Sequence, residues 1–115
     1  MSDSISQCRY SRTDEAVPYQ RLADLFYHVP QCQCYMEMTG AAYCDLVSYT
    51  RRGSTVFRLV PDAALLYLLR VAAERFCAAV ARRVPPPPDP ALAEQIRRLC
   101  LDCDWSTPQD ALPFD

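Results

Sequence analysis

The chain contains no lysine and no asparagine, and it has only one histidine, one tryptophan and two glycines among 115 residues. All twelve basic residues are arginine. A mechanism that needs a compact ammonium group or an amine of tunable pKa is therefore closed to it, because a guanidinium is planar and always charged. With His28 as the sole imidazole, nothing in the spacing supports a cysteine–histidine nucleophile pair. The carboxylates do not cluster, so no acid–base pair stands out either. No apolar run is long enough to cross a bilayer, and the polar start MSDSISQ is no targeting helix. The expectation is an intracellular protein without a membrane span, its thiols largely reduced. A net charge of −2 and a pI near 5.3 exclude any global pull toward nucleic acid, so attraction to phosphate would have to be local.

What is present suits one small domain. Half the residues are apolar and 23% are charged, a globular rather than a disordered composition. Residues 1–29 read as irregular, with Pro18 and Pro30 as breakers. A helix is expected from Pro30 to Met38 or Thr39, with Gly40 at its C-cap. Residues 41–50 then alternate as a strand, with Ala42, Cys44, Leu46 and Ser48 on one face. Arg51-Arg52-Gly53-Ser54 reads as a turn and residues 55–60 as a second strand, which makes an antiparallel hairpin. Asp62 is placed to cap a long helix to Arg83. Its expected core stripe is Leu65, Leu69, Ala72, Phe76 and Ala79. The run PPPPDP (85–90) is a polyproline spacer. Asp89 and Pro90 start a last helix with Leu92, Ile96, Leu99 and Cys103 on one side, and the end reads as a frayed acidic tail. The fold class is α+β.

Seven cysteines include a C-x-x-C at Cys100 and Cys103 and a C-x-C at Cys32 and Cys34. Tetrahedral zinc typically takes two such pairs. Helical placement points Cys32 and Cys34 about 200° apart, however, and scattered buried thiols are the plainer reading. A small cysteine-containing module, held by zinc or by a protein partner, remains the alternative. The short segment VPQCQCYMEMTG poses a different question. Two glutamines, Gln31 and Gln33, stand where a core helix would take leucine, and each amide must be satisfied if buried.

Three runs in order, YHVPQCQCYMEMTG, YCDLVSYT and GSTVFRLVPD, resemble the C-terminal half of the YqaJ-type viral recombinase domain, the phage lambda exonuclease family. That family belongs to the PD-(D/E)xK nuclease superfamily. The resemblance spans Phe26 to Phe76 and implies a partial nuclease fold divided as a remnant of the catalytic strand region (1–25), the C-terminal half of the domain (26–84), and a spacer, helix and tail (85–115). It implies that Gln31 is turned toward an active site. Tyr35 shares its helical face, and Gln33, Arg51 and Arg52 are possible neighbours of DNA or of that site. Gln33 would sooner hold backbone or a DNA phosphate, and a solvated turn is the plainer role for the two arginines.

The implied chemistry is phosphodiester hydrolysis assisted by Mg²⁺ or Mn²⁺, with carboxylates seating the metal and a lysine orienting water. The family's Glu-x-Lys precedes the glutamine helix, and here those two places fall at Ile5 and Gln7. Neither side chain can do the work, and no room is left upstream for the family's aspartate. The expectation is a degenerate or truncated domain that does not cleave DNA alone and depends on a missing N-terminal half or an oligomeric partner. No metal is expected on this chain by itself. Its hairpin would present a naked edge, with the chain loose before residue 26.

Overall fold

A computed structural model describes residues 4–10 and 21–108, and of 4–10 only the backbone. A strand β1 (Ser4–Tyr10) is followed, beyond residues outside that description, by a 3-10 helix (Leu22–His28) that runs directly into α1 (Val29–Thr39). Then come β2 (Tyr43–Thr50), β3 (Gly53–Leu59), α2 (Ala63–Arg82), α3 (Pro90–Asp102) and a two-residue strand β4 (Trp105–Ser106). The sheet order is β1-β2-β3-β4. The pairing of β1 with β2 is parallel, and the other two are antiparallel. The protein is α+β, with helices packed on one face of a mixed sheet.

The element ends follow local chemistry. Gly40 caps α1 at φ 71°, a left-handed conformation that costs glycine little, and its N–H donates to the Met36 carbonyl. Thr50 pairs with Gly53, so Arg51 and Arg52 form a two-residue hairpin loop. Gly53 takes φ 145°, where an L side chain is strained. The carboxylates of Asp62 and Asp89 each accept from an N–H three residues on, Leu65 and Leu92, both at 3.0 Å. These are N-caps that satisfy otherwise orphaned helix donors.

The core lies between the helices and the sheet face carrying Cys44 and Leu46 from β2 and Phe57 and Leu59 from β3. Leu25 of the 3-10 helix, Val29, Cys32 and Met36 of α1, Leu65 of α2, and Cys100 and Cys103 close it. All are nearly or wholly enclosed.

Four expectations need correction. Residues 1–29 are not irregular throughout: residues 4–10 form β1, whose backbone completes ladder hydrogen bonds with β2, and Leu22–His28 form a 3-10 helix. The hairpin therefore has no naked edge along β2, and part of β3 is covered by β4. Ser106, the first residue of the expected frayed tail (106–115), belongs to the sheet together with Trp105, which finds an apolar partner in Phe57. Finally, Phe76 is not a core residue. Leu65 and Ala79 are buried and Leu69 packs against the core, but Phe76 is 57% exposed. α2 packs against α1 and α3, and neither covers its Phe76.

Candidate functional site

The two glutamines of α1 separate sharply. Gln33 is fully enclosed. Its Nε2 donates to the Val60 carbonyl at 2.9 Å, and its Oε1 accepts from the Asp62 N–H at 2.9 Å. Both ends of the amide thus hold the short connection between β3 and α2, where no ladder or helix satisfies the backbone. The same Asp62 caps α2, so the strand-to-helix turn is pinned from both sides. A leucine at position 33 would leave two part-buried backbone groups without these partners. The enclosed side chain offers no surface to a ligand.

Gln31 lies on an exposed side of α1 and donates to the Tyr35 hydroxyl at 2.9 Å. The pairing is the i, i+4 relation expected of one helical face. Ile5 and Gln7 stand on β1 opposite Cys44 and Leu46, and their side chains lie outside the described residues. Arg51 and Arg52 are exposed in the hairpin loop, and the Arg52 N–H donates to the Thr50 hydroxyl at 3.1 Å.

The most ordered charged group on the hairpin was not anticipated from the sequence. Arg58 donates twice to Asp45, from Nε at 2.8 Å and from Nη2 at 3.0 Å, and its guanidinium sits 3.9 Å from the Tyr43 ring centre. Asp45 and Arg58 are direct cross-strand partners, so the register set by a two-residue loop was the signal for this pair. A bidentate, ring-stacked arginine is already committed and contributes to hairpin stability rather than to binding.

Four thiols, Cys32, Cys44, Cys100 and Cys103, belong to the buried core, whereas Cys34 and Cys77 are exposed. Cys32 and Cys34 face different ways on α1, as their spacing predicts. A hydrogen bond with Cys44, reinforced by burial, pushes the Cys32 thiol well above its ordinary range. Burial foremost, and the nearby Asp62 carboxylate, push Cys100 up to about 11. Cys103 is likewise pushed up to about 11, by burial first and then by Cys100 and Asp62. Its Sγ donates to the Cys100 carbonyl at 3.3 Å. Cys32, Cys100 and Cys103 are therefore protonated and inert near neutrality, whereas the hydrogen bond with Cys32 lowers Cys44. Among the described residues, no three side chains of histidine, cysteine, aspartate or glutamate gather as a metal site would require.

Two surface grooves flank α2. One, of about 460 Å³, runs between its last turns and the polyproline spacer and is lined by Arg75, Ala78, Arg82, Val84 and Pro86–Pro88. The other, of about 180 Å³, lies between α1 and α2, with Met38, Leu66, Leu69 and Ala73 as its apolar walls and Glu37 and Arg70, an ion pair, at its rim. Neither is lined by Gln31, Arg51 or Arg52. No helix among the described residues is long and apolar enough to cross a membrane.

The class defined so far is a small α+β domain with a mixed four-stranded sheet and one helical layer. No protein-family model matches the chain, and neither a curated protein nor a solved structure matches it.

Proposed function

We propose that this chain is a nuclease-type domain of the YqaJ and phage lambda exonuclease kind that lacks a cleaving centre and does not hydrolyse DNA by itself. One observation carries the reading. The elements run β1, α1, β2, β3, α2 with β1 parallel to β2, so Ile5 and Gln7 stand on the strand before the glutamine helix. The resemblance requires the Glu-x-Lys at that place. The hydrogen-bonded Gln31–Tyr35 pair supports the same reading.

The residues present do not fit the metal that this family uses. Mg²⁺ and Mn²⁺ take hard oxygen ligands, usually carboxylates. Ile5 offers none, Gln7 has no charge, and no acidic group of three assembles among the described residues. No hydrolytic step is therefore written for this chain. Purified protein incubated with Mg²⁺ or Mn²⁺ is expected to leave linear duplex DNA intact, and metal-dependent digestion would refute the reading. A second reading, a small interaction module, is favoured by the exposed apolar residues on α2. Its zinc-held form predicts stoichiometric zinc by mass spectrometry.

A further inference from the structure

Between α2 and α3 the chain reads Arg82-Arg83-Val84-Pro85-Pro86-Pro87-Pro88-Asp89, and every one of these residues is exposed. Proline fixes φ and steers the residue before it to extended backbone, so Val84 through Pro88 favour the polyproline II helix. A groove of about 460 Å³ separates Pro86, Pro87 and Pro88 from the last turns of α2, so the prolines stand off the helix. Their ends are held, because α2 packs on α3 and Arg75 pairs with Asp89. A segment already extended and tethered at both ends loses little entropy when something grips it. Arg82 and Arg83 enter no ion pair among the described residues.

We propose that residues 82–88 are a ligand for an SH3-type domain, a module whose aromatic groove takes polyproline helices and whose acidic pocket takes an arginine. This inference is independent of the nuclease reading. A polyproline helix has three residues per turn. Val84-Pro85 and Pro87-Pro88 therefore lie one turn apart and present two equivalent apolar pairs to the groove, with Pro86 on the ridge facing away. Arg82 stands one further turn ahead of Pro85, the place for the acidic pocket.

Arg83 ends α2 in left-handed backbone at φ 58°, which is strained for a residue with a side chain. Extending that one residue releases the strain and continues the polyproline helix back to Arg82. It gives up the bond from the Val84 N–H to the Ala79 carbonyl and frays only the last turn. The arginines lie ahead of the prolines and the next one behind them is Arg97, so one orientation along the groove is selected. Other polyproline readers fit less well. One that requires an aromatic residue before the prolines meets Val84, and one that requires a tyrosine after them meets Asp89 and Pro90.

The full chain is titrated into a panel of purified, isotope-labelled SH3 domains covering both ligand orientations, that of the Src tyrosine kinase among them. At least one domain that prefers the arginine ahead of the prolines should bind saturably, with shifts confined to its aromatic groove and acidic pocket. Pro85→Ala combined with Pro88→Ala should weaken binding at least tenfold. Arg82→Glu combined with Arg83→Glu should do the same, and high salt should weaken the wild-type complex. All four side chains are exposed, so the circular dichroism spectrum and urea midpoint should not change. Pro86→Ala should alter affinity less than threefold, which tests the register. The proposal is overturned if every SH3 domain of the panel stays silent, whether or not another polyproline reader binds. Binding that survives the Pro85 and Pro88 changes, or that Pro86→Ala weakens as much, overturns it too.

Discussion

Gln33 shows how one side chain can decide a junction. Replacing it with leucine keeps the volume but removes partners from the Val60 carbonyl and the Asp62 N–H. A buried backbone group left unsatisfied costs about 1–3 kcal/mol, and these two are part-buried and in reach of water, so Gln33→Leu should lower unfolding free energy in urea by about 1–3 kcal/mol. Gln31→Ala, on the exposed side of the same helix, should change it by no more than about 0.5 kcal/mol. Equal losses at the two positions would refute the assignment of roles. The thiols give a second test at this scale. Of the six described cysteines, Cys34 and Cys77 should react rapidly with a disulfide reagent, and the four core thiols only on unfolding. Cys100 and Cys103 titrate near 11 in the fold against an ordinary value of 9.0. The folded state thus keeps its protons longer than the unfolded chain. Their contribution to stability is fully present below about pH 9 and is lost as the pH rises toward 11. Cys100→Ala, compared with wild type across that window, checks the sign.

At the scale of elements, both long C-terminal helices begin with an aspartate cap. Asp62→Ala should cost about 1 kcal/mol. Asp89 adds a pH signature. Its hydrogen bond from the Leu92 N–H, then its pairing with Arg75, hold its carboxyl below the ordinary value of 3.8. A depressed folded pKa means the cap stabilises fully above that value and loses its effect as the pH falls through the folded pKa. The stability difference between wild type and Asp89→Ala should therefore shrink in acid, measured by urea unfolding from neutral pH to below pH 3.8. The small strand β4 has its own reporter. Trp105, the sole tryptophan, packs edge-on against Phe57 with ring centres 5.2 Å apart. Trp105→Phe should cost about 1 kcal/mol, and in the wild-type chain the fluorescence change should coincide with the circular dichroism transition. A fluorescence change that precedes it would show that β4 does not belong to the cooperative unit.

For the whole molecule, the decisive feature is how the sheet closes. β2 is an inner strand only because β1 joins it from a distant part of the sequence, and β3 is partly covered only because β4 returns from beyond α3. Local patterning revealed the hairpin, the caps and the glycine stop of α1, since those depend on neighbours within a few residues. It did not reveal β1. SISQCRY has a strand-like composition but pairs in parallel across an intervening helix, a contact no short window contains. The stripe of α2 was misassigned at Phe76 for a related reason. Periodicity shows which residues share a face, but not how far the packing partner extends beneath it.

The site divides in the same way. That glutamine at 31 pairs with tyrosine at 35 follows from helical spacing alone. That Gln33 is enclosed and bound to Val60 and Asp62, twenty-seven and twenty-nine residues away, required the fold. By itself the sequence determined the α+β class, the helix caps and the hairpin, and it denied the chain lysine. These are matters of composition and of interactions between near neighbours. Only the tertiary structure decided which thiols are enclosed, which glutamine is structural and which apolar residues of α2 stay exposed. Burial is a property of what packs against a residue, and here those partners come from distant parts of the chain.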